Sequence, residues 1–183
     1  MLDVLKYLVD ECAASVTASS EGRTCLFGCV SATCWLTSEC ERKAVVRYLA
    51  LELSADVEAG PEGTTPLLTA CDMGYVKVVE VLVAECGANL SAVGKGGETV
   101  LHCAARSCNV ELLRYLVCTC GVEQTESPRS TPSPLHYCVN SRWYSYAEFA
   151  SVVGFLTTTC KIPVDVVDPN TGETPFLKAC YHR

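Results

Sequence analysis

The chain has 183 residues, 49% of them apolar, with 21 acidic and 14 basic side chains and a formal net charge of −7. This length suits one domain of several small units, and the acidic balance speaks against a nucleic-acid partner, which demands a basic face. Mean hydropathy is +0.23, yet no apolar run approaches a membrane span, and Met1 to Glu11, with Asp3, Lys6, Asp10 and Glu11, does not read as a secretory signal.

Along the chain, two short patterns alternate. Val4-Leu5-Lys6-Tyr7-Leu8 predicts a helix within the first residues. Gly22-Arg23-Thr24-Cys25-Leu26-Phe27 opens a second, and Val45-Val46-Arg47-Tyr48-Leu49 a third, ending in Ser54-Ala55-Asp56-Val57. The clearest copy of the opening pattern is Gly63-Thr64-Thr65-Pro66-Leu67-Leu68-Thr69-Ala70, followed by Val78-Val79-Glu80-Val81-Leu82 and Gly87-Ala88-Asn89-Leu90. Gly94, Gly96 and Gly97 then predict a tight turn. Gly97-Glu98-Thr99-Val100-Leu101-His102-Cys103-Ala104 and Leu112-Leu113-Arg114-Tyr115-Leu116 repeat the pair, as do Ser133-Pro134-Leu135-His136-Tyr137-Cys138 and Val152-Val153-Gly154-Phe155-Leu156. After Pro163-Val164-Asp165-Val166, a last opening appears at Gly172-Glu173-Thr174-Pro175-Phe176-Leu177. The column of Cys25, Pro66, Val100, Pro134 and Pro175 advances in steps of 41, 34, 34 and 41 residues.

The spacing has a physical sense. A Thr or Ser oxygen caps free N–H groups at a helix start, and Pro in the first helical position needs no N–H partner. Thr65-Pro66, Thr174-Pro175 and Ser133-Pro134 fit this. Small residues at Ala70-Cys71, Ala104-Ala105, Cys138-Val139 and Ala179-Cys180 allow close helix packing. Val78, Val79, Leu82 and Val83 form an apolar face at helical spacing. One helix pair cannot bury its apolar face alone, so neighbours must stack.

A period near 33 carrying T-P-L-H-x-A, in register with a second periodic motif over nearly the whole chain, resembles the ankyrin repeat. The resemblance implies an all-α ankyrin-repeat solenoid of stacked helix-turn-helix units with finger loops. It divides a single domain, 1–183, into a partial repeat 1–21, repeats 22–62, 63–96, 97–130 and 131–171, and a partial repeat 172–183. It further implies a protein–protein interaction module, a scaffold or adaptor, with no catalysis and no cofactor. Contacts are expected from fingertips and the exposed positions of inner helices. The tip and loop positions are Arg23, Glu62, Thr64, Val93, Lys95, Glu98 and Glu173, and the inner-helix positions are Asp72, Met73, Arg106, Ser107 and Asn140. The partner is another protein, the expected location is the reducing cytoplasm, and the chain is expected to be a monomer or part of a longer array.

Departures from the family pattern add detail. Extra residues fall within Ser31 to Glu41 and within Ser141 to Tyr146. The second insert, Ser141-Arg142-Trp143-Tyr144-Ser145-Tyr146, places aromatics beside an Arg, as interface hot spots do. It makes Trp143 and Tyr144 candidate contacts, unless the rings fold back over the repeats. The first insert, with Cys34 and Trp35, is less polar and reads as a core cap. At the two ends, Leu2, Leu5 and Leu8, and Phe176, Leu177 and Cys180, would have an unpaired side.

Fourteen cysteines are unusual at this length. Cys29, Cys71, Cys138 and Cys180 occupy the small-residue positions of the opening helices, four or five residues into each, and Cys12, Cys86, Cys120 and Cys160 share a second column, so packing is the expected role. The alternative is a cysteine-based redox- or metal-responsive protein, with Cys118 and Cys120 as redox candidates. Cys118-Thr119-Cys120 and His102-Cys103 lack paired C-x-x-C spacing for zinc. Val93-Gly94-Lys95-Gly96-Gly97-Glu98-Thr99 lacks phosphate-loop spacing. No Ser-His-Asp set stands out. The resemblance assigns His102 and His136 structural hydrogen bonds.

Overall fold

The computed structural model describes residues 2–12, 14–16, 22–32, 38–123, 131–139 and 145–181. Among these the regular structure is helical: α1 (Leu2–Asp10), α2 (Cys25–Ser31), α3 (Glu39–Arg47), α4 (Pro66–Asp72), α5 (Val76–Ala84), α6 (Val100–Arg106), α7 (Val110–Arg114), α8 (Pro134–Val139), α9 (Tyr146–Thr158) and α10 (Pro175–Tyr181). Single π-helical turns extend α3 over Tyr48–Glu52 and α7 over Tyr115–Thr119.

The starts of these helices follow from local chemistry. Thr24 Oγ1 accepts from Phe27 N–H at 3.2 Å, Ser38 Oγ from Glu41 N–H at 3.2 Å, and Thr65 Oγ1 from Leu68 N–H at 3.2 Å. Asn109 and Ser145 cap α7 and α9 in the same way. Each cap satisfies an N–H that the helix itself leaves unpaired.

The chain forms two compact units, Met1–Ala70 with Tyr75–Ala92, and Cys71–Gly74 with Val93–Arg183. In the first, α3 packs against α2 and α5, and Leu26, Val30, Val45, Val46, Leu49, Val78, Val79, Val81 and Leu82 are buried. Val81, and not Val83, completes the buried face of α5; Val83 is half-buried. Arg42 is an unforeseen core member. Its guanidinium donates to the carbonyls of Cys29, Val30 and Ala32 at the end of α2 and lies 4.5 Å from the centroid of the Tyr75 ring. Helix ends leave carbonyls unpaired, and a planar five-donor fork serves several at once.

In the second unit α6 packs on α8, α7 on α9, and α8 on both α9 and α10. Leu101, Ala104, Ala105, Leu112, Leu113, Leu116, Leu135, Val152 and Leu156 fill its core. Val4, Tyr7 and Leu8 of α1 are exposed in the first unit, and Phe176, Leu177 and Tyr181 of α10 in the second.

The two cysteine columns do not behave as one class. Cys71 and Cys138 are buried as expected, but Cys29 is only half-buried and Cys180 is exposed. In the other column Cys12 is exposed and Cys86, Cys120 and Cys160 are half-buried, so it lines the margin and not the core. Cys103 and Cys108, which belong to neither column, are buried.

Candidate partner-binding surface

In the second unit the finger Val93–Glu98 is a closed turn. Gly94 N–H donates to Glu98 O at 2.8 Å and Gly97 N–H to Gly94 O at 2.9 Å. Gly97 has φ +85, a conformation open to glycine and costly to other residues. Val93 and Lys95 stand exposed on this turn. The Glu98 carboxylate turns back to accept from Gly96 N–H at 2.9 Å, and the residue is half-buried. Thr131 Oγ1 donates to Gly96 O at 3.2 Å and ties the finger to the next loop.

The inner-helix positions Asp72 and Arg106 are 34 residues apart and paired directly, Arg106 Nε donating to Asp72 Oδ1. Arg106 also lies 5.6 Å from the centroid of the Tyr137 ring, which packs edge-on against His102. The guanidinium is thus positioned from two sides while its side chain remains 39% exposed. Burial disfavours its charge, but the hydrogen bond and charge of Asp72 outweigh that and raise its pKa. Sequence reasoning missed Tyr137, because the repeat equivalent of Arg106 is Asn140 and only the packing of α8 on α6 brings the Tyr137 ring to the guanidinium. Burial, aided by the nearby Glu98 carboxylate, pushes the Tyr137 phenol up to about 12, so it stays neutral and serves as a flat platform.

Met73 is 41% exposed beside this pair in sequence. Ser107 is half-buried with its hydroxyl donating to Ala104 O at 2.8 Å. The backbone carbonyl of Glu173 accepts from Asp168 N–H at 2.8 Å and from His136 Nε2 at 3.0 Å. In the first unit Arg23 and Glu62 are exposed and Thr64 is half-buried. A side chain at Gly22 would meet Pro61, which brings the turns bearing Arg23 and Glu62 together. Asn140, Trp143 and Tyr144 lie outside the described residues, as do Cys34, Trp35 and Arg142.

Among the described residues His102 and His136 are buried, and they hold loops and helix starts. His102 Nδ1 accepts from Thr99 N–H at 3.2 Å and from the Thr99 hydroxyl at 2.8 Å, a capping box built on histidine. His136 Nδ1 accepts from the Ser133 hydroxyl at 3.0 Å. Burial lowers both, His102 to about 4, so neither carries charge near neutrality. Among the described residues no helix is long and apolar enough to cross a membrane, and no cluster of three or more His, Cys, Asp or Glu has the arrangement of a metal site.

Comparison with known proteins agrees with this geometry. A family model described as ankyrin repeats (3 copies) matches residues 1–94 and, in a second placement, 34–127. Neurogenic locus notch homolog protein 1 of Danio rerio is 32% identical over 110 residues, 60% of this chain and 4% of that protein. Palmitoyltransferase AKR1 of Lachancea kluyveri is 28% identical over 141 residues, 76% of this chain and 14% of that protein. The chain therefore spans a small part of the length of either relative.

Proposed function

Because the chain belongs to the ankyrin-repeat family, whose repeats serve generally as non-catalytic protein-interaction modules, we propose that it is a scaffold or adaptor that holds another protein. The proposed division is a partial repeat 1–21, repeats 22–62, 63–96, 97–130 and 131–171, and a partial repeat 172–183, acting as one binding module. The observation that carries the reading is the half-exposed Arg106, oriented by Asp72 and Tyr137. An anchor whose rotamer is already set loses little entropy on binding, and arginine is among the residues that dominate interface energies. Met73, Ser107, Val93, Lys95 and Glu98 extend the proposed contact along the inner-helix and finger positions. Glu173 adds a further finger position, and Arg23, Glu62 and Thr64 are the matching positions of the first unit. Asn140 continues the inner-helix series, and Trp143 and Tyr144 form a second candidate site.

The acidic balance favours a basic partner surface and disfavours nucleic acid. Burial holds the Cys71 thiol well above its ordinary pKa and the Cys103 thiol at about 12, which supports a packing role in a reducing, cytoplasmic setting.

The test compares the wild-type chain with Arg106→Ala, Met73→Ala, Lys95→Ala and Trp143→Ala in affinity capture, with thermal unfolding measured in parallel. Loss of a specifically captured protein by Arg106→Ala at nearly unchanged stability supports the surface. An anchor at such a site is worth about 2 kcal/mol, roughly thirtyfold in Kd. Capture unchanged by all four substitutions removes both candidate sites.

A further inference from the structure

We propose that Cys108 and Cys138 form a peroxide-sensitive thiol pair that closes to a reversible disulfide within the second unit. Their sulfurs are 3.6 Å apart, although the residues are 30 positions apart in sequence, and both side chains are buried. The backbone at Cys108 is unusual. Its φ is +52, in the left-handed region, and the residue 34 positions earlier, Gly74, has φ +72. Glycine adopts this conformation without cost, whereas a side chain there is held against its preference. Ser54, Glu62 and Lys161 share this conformation; what sets Cys108 apart is that its turn delivers a sulfur to within reach of Cys138.

Access is the second observation. Cys108 lines a cleft of about 440 Å³, with Ser107 and Asn109 on one side and Ala147 and Glu148 of α9 on the other. A small oxidant therefore reaches Cys108 through the cleft, while Cys138 lies fully buried behind it. The hydrogen bond with Cys108 and burial keep the Cys138 thiol protonated, and Cys108 is the sulfur on the cleft side, so it is the one that meets the oxidant. Reactive thiols act as thiolates, and the burial of this pair makes the reaction slow compared with that of an activated cysteine.

The chemistry balances with a hydroperoxide as the two-electron oxidant. Cys108 sulfur attacks the peroxide, the O–O bond breaks, one oxygen remains on sulfur as sulfenic acid and the other leaves as water when hydrogen peroxide is used. Cys138 sulfur then attacks the Cys108 sulfur. The S–S bond forms, the S–O bond breaks, and a second water departs with the Cys138 proton. A thiol reductant reverses the bond by exchange. The cross-link ties the turn at Cys108 to α8 and constrains the unfolded chain across the intervening loop. The inference stands apart from partner binding, because its readout is a bond in the isolated chain.

The full chain, reduced and then exposed to graded hydrogen peroxide, is denatured, alkylated and mapped by mass spectrometry without reduction. The expected result is a linked peptide pair joining Cys108 to Cys138, removed by a thiol reductant. A rise in thermal midpoint is expected in the wild type and absent in Cys108→Gly and Cys138→Ala. If peroxide at doses and times well beyond those that fully oxidise the exposed Cys118, with the chain still folded, leaves Cys108 and Cys138 alkylatable, or links either of them to another cysteine, the proposal fails. Should a variant not fold, the wild-type peptide map alone decides.

Discussion

His102 is the most informative residue to perturb, because its environment sets a sign as well as a size. The side chain is 2% exposed, and Nδ1 accepts from both the N–H and the hydroxyl of Thr99. Burial lowers its pKa from 6.5 to about 4, against the opposing influence of a hydrogen bond to the Pro132 backbone and of Glu98. The unfolded chain therefore binds a proton near pH 6.5, while the folded chain resists it until near pH 4. Stability must fall as pH drops through this window, since the unfolded state binds more protons there. Each pKa unit is worth about 1.36 kcal/mol, so the full loss attributable to His102 is on the order of 3 kcal/mol. Protonation at Nδ1 also removes the acceptor from the Thr99 N–H and opens the capping box. The assay is urea unfolding of wild type and His102→Gln at closely spaced pH values between neutrality and pH 4. Glutamine has no proton to gain, so the variant should start less stable at neutral pH and lose less on acidification. Parallel curves for the two proteins would refute the argument, because the acid sensitivity would then belong to other groups. His136, whose pKa is also lowered, should leave a residual slope of the same sign in His102→Gln.

Arg42→Ala should destabilise the chain by about 3 kcal/mol in chemical unfolding, because carbonyls at the end of α2 lose their buried donors. Arg42→Lys should recover only part of this, since one ammonium cannot reproduce a planar fork; full recovery would show that the charge alone matters. Cys71→Ala should cost about 1 kcal/mol or less, as the volume change is small. In the folded wild type an alkylating reagent should reach Cys12, Cys40 and Cys118 well before Cys71, which is fully buried; early labelling of Cys71 would contradict its packing role. Hydrogen exchange should be slowest in α4 and α6, whose interiors are buried, and fast in α1, which has no buried residue. Equal protection of α1 in the isolated chain would overturn that ordering.

Much of this protein was legible from its residues alone because the decisive interactions are short-range. The Thr caps act within three positions, so Thr24 and Thr65 announce helix starts without reference to anything distant. The 34-residue step likewise anticipates that Asp72 and Arg106 occupy equivalent places, and they form an ion pair. Tertiary structure decided what happens between residues far apart in sequence. Arg42 is buried only because the end of α2 presents three carbonyls to it. Tyr137 becomes a platform only when α8 lies against α6. Of the repeat-column cysteines, Cys71 and Cys138 are buried while Cys180 is exposed, because α10 buries only Pro175 whereas α8 is covered by α6, α9 and α10. Pattern specifies which face of a helix is apolar; whether that face is covered depends on the neighbouring helix, and no local spacing encodes it.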